Sequence, residues 1–195
     1  MNKQGVRMQR DIGEGKMLRN PKSLLTQFLK SRDYKGAETV LNSLNCSSKD
    51  EQLWSAYFHF QNQKYEEVQQ MYISLSETTD NPDEISMFLA ICYFHMKFFD
   101  EAMEVLETLE CKSALKVRLQ LHLAYKMNED STPYLNQMSD SLEDRLSKAA
   151  LLYNDGRYED ATDAYKELLD KNSANVALNV AIAMCHFKNV SLQYS

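Results

Sequence analysis

One spacing pattern occurs four times in this chain: an apolar stretch, a polar break, an aromatic, and a small residue three positions later. The breaks read Lys30-Ser-Arg-Asp-Tyr34-Lys-Gly-Ala37, Asn62-Gln-Lys-Tyr65-Glu-Glu-Val68, Met96-Lys-Phe-Phe99-Asp-Glu-Ala102 and Asn154-Asp-Gly-Arg-Tyr158-Glu-Asp-Ala161. Apolar residues then follow seven and ten positions after each aromatic: Leu41 and Leu44, Tyr72 and Leu75, Leu106 and Leu109, Tyr165 and Leu168. Offsets of three, seven and ten fall on one face of a helix of 3.6 residues per turn. Ahead of three of the aromatics, Ala56, Ala90 and Ala149 each stand nine positions earlier, where a small side chain lets two helices approach closely.

The aromatics Tyr34, Tyr65, Phe99 and Tyr158 are 31, 34 and 59 residues apart, and the middle spacing is the tetratricopeptide period. Only 5 Gly and 3 Pro occur, and Gly5, Gly13 and Gly15 lie in the first fifteen residues, so long helices are favoured beyond them. Pro82 after Thr79-Asp-Asn suits a first helical turn, and Asp83 and Glu84 place negative charge at that helix N-terminus. These features predict an all-α fold, a tetratricopeptide-repeat superhelix (an α-solenoid) of antiparallel helix pairs. The expected organisation is a basic flexible tail over 1–20 and a repeat domain over 21–195. Within that domain, repeats fall at about 21–48, 49–81, 83–111 and 142–173, with a degenerate helical pair over 112–140. In that pair, Leu115, Leu119, His122 and Leu123 form the apolar set of the first helix, and a short helix covers about Tyr134 to Met138. A lone helix of the first-helix kind is expected over 175–188, packed on the fourth repeat because a lone helix of that length is marginal.

The formal net charge is −6, a sign that repels phosphate backbones and anionic lipid, so neither nucleic acid nor membrane insertion is expected. The tail is the exception, with Lys3, Arg7, Arg10, Lys16 and Arg19 against Asp11 and Glu14. Cys46, Cys92, Cys111 and Cys185 form no C-x-x-C pair, and no apolar run reaches the roughly 18 residues of a membrane span, so reduced thiols in a cytosolic compartment are expected.

Several runs outside the generic repeat carry a more specific likeness. They are Phe28-Leu-Lys-Ser-Arg-Asp-Tyr34 with Gly36-Ala37, Leu53-Trp54 with Tyr57, and Leu89-Ala-Ile-Cys-Tyr-Phe94. Others are Arg118 through Leu123-Ala124 with Lys126 and Asn128, and Ala177-Leu-Asn-Val180 with Cys185. In these runs the chain resembles the intraflagellar transport protein 56 family from about Pro21 to Lys188, as a short or truncated member. The resemblance implies a non-catalytic subunit of the intraflagellar transport B particle, acting in cilium assembly. It implies other particle subunits and axonemal cargo as partners, and the cilium, the ciliary base and the cytoplasm as locations.

For chemistry the residues offer little. Cys92 and His95, and Cys185 and His186, are near neighbours, but a structural zinc gathers four ligands in two tight pairs, so no metal is expected. Gly13-x-Gly15 is not a phosphate loop, because no strand precedes it. The acidic residues read as solvated helix faces, and neither a catalytic residue nor a cofactor is expected. Protein binding is better supported: counted from the anchors, Tyr57, Phe60, Phe94 and Tyr153 are candidates for a concave face, where aromatics anchor a partner helix or peptide. The alternative use of these residues is packing against the next repeat. A rival function is a co-chaperone adaptor gripping a C-terminal carboxylate. Lys22 fits its clamp, but Thr26, Trp54, Glu84 and Phe88 occupy the other clamp positions.

Overall fold

The computed structural model describes residues 21–43 and 48–193, so the basic tail, Leu44 and Cys46 lie outside the described residues. Every regular element among them is helical: α1 (Pro21–Ser31), α2 (Tyr34–Ser43), α3 (Lys49–Gln61), α4 (Tyr65–Ser76), α5 (Pro82–Met96), α6 (Phe99–Thr108), α7 (Ala114–Met127), α8 (Thr132–Leu135), α9 (Leu142–Asn154), α10 (Tyr158–Lys171) and α11 (Val176–Gln193). The chain divides into two compact units, Met1–Met71 and Tyr72–Ser195.

Each repeated aromatic opens the second helix of a pair, and the small residue three positions on lies at the contact. Ala37, Val68, Ala102 and Ala161 have no exposed surface, nor do Ala56, Ala90 and Ala149 on the first helices. The next residues in the series, Leu41, Tyr72, Leu106 and Tyr165, are buried as well. In the first unit, Ala37 and Leu41 of α2 gather with Phe58 of α3, and Leu25, Phe28 and Leu29 of α1 close over them. Two clusters fill the second unit. One joins α5, α6 and α7 through Met87, Ala90, Leu106 and Leu123, and the other joins α9, α10 and α11 through Ala149, Leu168, Leu178 and Cys185.

The turn inside each pair has one geometry. Arg32, Gln63, Lys97 and Gly156, each two residues before the anchoring aromatic, adopt φ of 55°, 62°, 67° and 77°. The following amide then reaches back to the helix just ended: Asp33 N–H to Phe28 O at 3.0 Å, Lys64 to His59 at 3.0 Å, Phe98 to Tyr93 at 2.9 Å and Arg157 to Leu152 at 3.0 Å. This left-handed closing residue with a six-to-one hydrogen bond satisfies carbonyls that the helix end leaves open. Asn128 closes α7 in the same way, with φ 58° and Glu129 N–H on Ala124 O at 2.8 Å, so the degenerate pair keeps the turn even without the aromatic.

Helix starts follow from local capping. Ser48 and Glu51 form a reciprocal capping box at α3, and Ser113 and Ser141 accept from backbone N–H groups at α7 and α9. Pro82 occupies the first turn of α5, with Asp83 and Glu84 beside it. In α7 the buried set is Leu119, Leu121, Leu123 and Ala124, while Leu115 is exposed and His122 half-buried. The expected single apolar stripe is broader because α6, α8 and α9 touch α7 on different sides. α8 lies at Thr132–Leu135, slightly before the expected Tyr134–Met138, since Pro133 suits a first turn and not a later one. α11 runs five residues past Lys188, where its apolar spacing continues to Val190.

Candidate protein-interaction surface

Three of the four candidate aromatics share a position: Phe60, Phe94 and Tyr153 each stand five residues before an anchoring aromatic. Across the left-handed turn, that spacing brings ring to ring. Phe60 meets Tyr65 at 5.3 Å and 68°, Phe94 meets Phe99 at 5.8 Å and 52°, and Tyr153 meets Tyr158 at 5.3 Å and 65°. Tilted aromatic pairs of this kind contribute about 0.5–1.5 kcal/mol beyond the area they bury. All three candidates are half-buried, and part of each ring holds its own helix pair together while the rest faces outward.

Tyr57 is different. It is exposed on α3, with its ring edge-on to Tyr34 at 6.1 Å and to Trp54 at 5.9 Å. Trp54, 43% exposed, lies over fully buried Phe58 at 5.8 Å and 30°. Tyr34, Trp54 and Tyr57 thus make an aromatic ledge resting on a core ring, inside the first unit. Trp54 belongs to this surface although the sequence reading left it out of the binding set. The signal was present, since residues three apart on a helix share a face.

The polar groups are mostly spent on holding helices. In the first unit Glu38 accepts from Lys64 Nζ at 2.7 Å and Asn62 Nδ2 at 2.9 Å, with His59 Nε2 at 3.4 Å. Burial pushes this carboxyl up, but the Lys64 hydrogen bond and the neighbouring His59 outweigh it and hold the group below its usual range. In the second unit, Asp144 is 2% exposed, against the expectation of a solvated acidic face. Its carboxylate accepts from Arg118 Nη1 at 2.7 Å, Ser139 N–H at 2.8 Å and Ser139 Oγ at 2.7 Å. Burial raises its pKa, yet the hydrogen bonds from Arg118 and Ser139 win and bring it down to about 2. This pair ties α7 to the start of α9, and Ser139 binds the loop that follows α8 to the same point.

An open cleft of about 460 Å³ lies between α9 and α10, with Arg145, Lys148 and Lys171 against Asp140 and Glu167. Its carboxylates are engaged: Arg145 reaches Glu167 at 2.7 Å and Asp140 at 3.7 Å. Burial pushes the Cys92 thiol up to about 12 and raises that of Cys185, while His95 and His122 are lowered, by burial and in His122 also by Lys126. Buried protonated thiols of this kind pack as small apolar groups at neutral pH. Among the described residues, no group of three His, Cys, Asp or Glu is placed to hold a metal ion. No helix among them is long and apolar enough to cross a membrane. Of the adaptor clamp positions, Lys22 has no described side chain, Thr26 and Glu84 are exposed, and the Phe88 ring lies on Tyr72 at 5.6 Å.

Paired helices closed by a common turn define the class, and solved structures agree. A thermophilic tetratricopeptide protein of Thermus thermophilus, TTC0263, superposes with a TM-score of 0.71 at 19% identity, covering 88% of this chain and all of that one. A tetratricopeptide repeat protein of Parabacteroides merdae gives 0.56 at 15% identity, covering 86% of this chain and 72% of that one. The fold is therefore an all-α tetratricopeptide architecture. Within that class the chain belongs to the intraflagellar transport protein 56 family, whose model matches residues 52–194. The intraflagellar transport protein 56 homolog of Caenorhabditis elegans is 33% identical over 174 residues, which is 84% of this chain and 30% of the relative. The chain thus spans under a third of that relative's length.

Proposed function

We propose that this chain is a non-catalytic interaction scaffold of the intraflagellar transport B particle, working in cilium assembly and the ciliary transport of cargo. Its partners on this reading are other subunits of the particle and axonemal cargo proteins, and its places of action are the cilium, the ciliary base and the cytoplasm. The observation that carries the reading is the family match. It spans 52–194 and so includes the irregular α7–α8 stretch that a generic repeat lacks. The exposed parts of Tyr57, Phe60, Phe94 and Tyr153, with Trp54 beside Tyr57, are the proposed anchors, since exposed aromatics supply large contact area at low conformational cost.

The test is affinity purification of the tagged chain from ciliated cells, followed by identification of what comes with it. Other subunits of the transport particle should be recovered, and in smaller amount when Trp54 and Tyr57 are both changed to alanine. Recovery of heat-shock chaperones with no transport subunit would overturn the scaffold reading in favour of a peptide-binding adaptor.

A further inference from the structure

Both ring nitrogens of His59 on α3 face groups that can only accept. Nδ1 lies 2.9 Å from the Ser55 carbonyl oxygen, one turn back on the same helix. Nε2 stands between two carboxylates, 3.4 Å from Glu38 Oε1 on α2 and 3.3 Å from Glu67 Oε2 on α4. A neutral imidazole has one N–H to give. It can serve Ser55 only by turning its Nε2 lone pair on the carboxylates, or serve the carboxylates only by setting a lone pair against the Ser55 carbonyl. The imidazolium presents an N–H on each side and adds the attraction of both anions. The His59 and Glu38 side chains are only 14% and 15% exposed, so water does little to relieve the mismatch of the neutral ring.

The surrounding charges run the same way. Glu38 faces the ring from α2 and Glu67 from α4, while Lys64, in the turn between α3 and α4, shares Glu38 Oε1 at 2.7 Å. Two carboxylates and one ammonium leave this cluster one charge negative, and an imidazolium brings it to neutrality. Lys64 opposes the added charge, but its side chain is the more exposed and better screened. We propose that His59 is a proton-operated strut: as imidazolium it ties α2 and the first turn of α4 to α3, and on losing its proton it loosens them. The consequence falls on α4 (Tyr65–Ser76), the helix within which the chain passes from the first unit to the second, the division falling after Met71. The protonated ring belongs to the docked form, so the stabilisation is complete at pH below the ordinary imidazole value of about 6.5 and is lost as pH rises above it. The inference is separate from the transport reading, because it concerns the proton on one side chain and holds whatever the chain binds.

The experiment measures amide hydrogen exchange by mass spectrometry on the 195-residue chain at about pH 6 and pH 8.5, corrected for the intrinsic pH dependence of exchange. The reporters are the amides of residues 68–71 in α4, beginning with Val68 N–H on Lys64 O at 3.1 Å. Glu38 is held below its usual range and stays ionised at both values. In the wild type, protection of these amides should be at least about threefold greater at pH 6 than at pH 8.5. In His59→Gln, which has no proton to gain, the two values should agree within error. Glu67→Gln removes the α4 anion at an exposed position, so the fold is kept, and it should cut the wild-type ratio by about half or more. If His59→Gln loses its helical circular dichroism, Glu67→Gln carries the test alone. A wild-type ratio near one overturns the proposal. So does a pH effect that survives undiminished in either folded variant, which would assign it to another group.

Discussion

Replacing Asp144 by asparagine removes a charge and little else, since the two side chains have nearly the same shape. In the native site the carboxylate receives three donors, from Arg118 Nη1, Ser139 N–H and Ser139 Oγ. An amide offers one acceptor oxygen, and its NH2 group must face a donor. Arg118 is left 20% exposed with no anion. Removing one partner of a buried pair costs about 3–5 kcal/mol. The lower end applies here, because solvent reaches the guanidinium, and we expect a loss of about 3 kcal/mol at pH 7, or roughly 10 °C in melting temperature. The pH dependence follows from the same contacts. The folded pKa of about 2 lies below the ordinary 3.8, so this stabilisation is complete above the ordinary value and is lost as pH falls through the folded one. At about 1.4 kcal/mol per pH unit the interval corresponds to about 2 kcal/mol, or between about 1 and 2 after solvent screening at the Arg118 end. Urea unfolding followed by far-ultraviolet circular dichroism at pH 7 and pH 2.5, for wild type and Asp144→Asn, reads both quantities. The stability gap between the two proteins should shrink by about 1–2 kcal/mol at the lower pH. A gap below 0.5 kcal/mol at pH 7, or one that does not change with pH, would refute the charge-pair argument (the threshold being about the scatter of ordinary surface substitutions).

Four further outcomes follow from particular positions. Gly156→Ala should cost about 1 kcal/mol in urea unfolding purely through the backbone, since φ is 77° and an added Cβ meets nothing within 4 Å. Lys97→Gly, at φ 67° in the equivalent turn, should instead stabilise by up to about 0.5 kcal/mol. Gly36→Ala should destabilise by about 1–2 kcal/mol, the reverse of the usual helical Gly→Ala gain, because the new Cβ would stand 2.6 Å from the Phe28 ring; a rise in unfolding midpoint would contradict the packing. In the folded protein at pH 8, Ellman's reagent should label half-buried Cys111 well before buried Cys92, whose thiolate is scarce until the pH nears about 12.

The helix pairs were legible because offsets of three, seven and ten have only one reading on a helix, and the described residues at those offsets are buried. Leu121 was not legible. A single stripe describes a helix touched on one side, and α7 is touched on several. The turn residues were hidden for another reason: Gly156 and Asn128 announce a left-handed conformation by type, whereas Arg32, Gln63 and Lys97 adopt it because the pairing of helices demands it. Asp144 looked like any acidic residue in a polar stretch, and only the approach of Arg118 from 26 positions away gives it a buried role. Of the candidate anchors, Phe60, Phe94 and Tyr153 proved to share one offset from the repeat aromatic, which the spacing contained; Tyr57 and Trp54 stand together because, three positions apart on α3, they share a face.

Trp54 is the single tryptophan of the chain, and it stands half in water on the ledge. The molecule therefore carries its own optical gauge on the ledge proposed above as an anchor. A partner that dries the ledge moves the ultraviolet emission toward shorter wavelength without any dye attached, whereas one that docks elsewhere leaves the colour of that emission where it was.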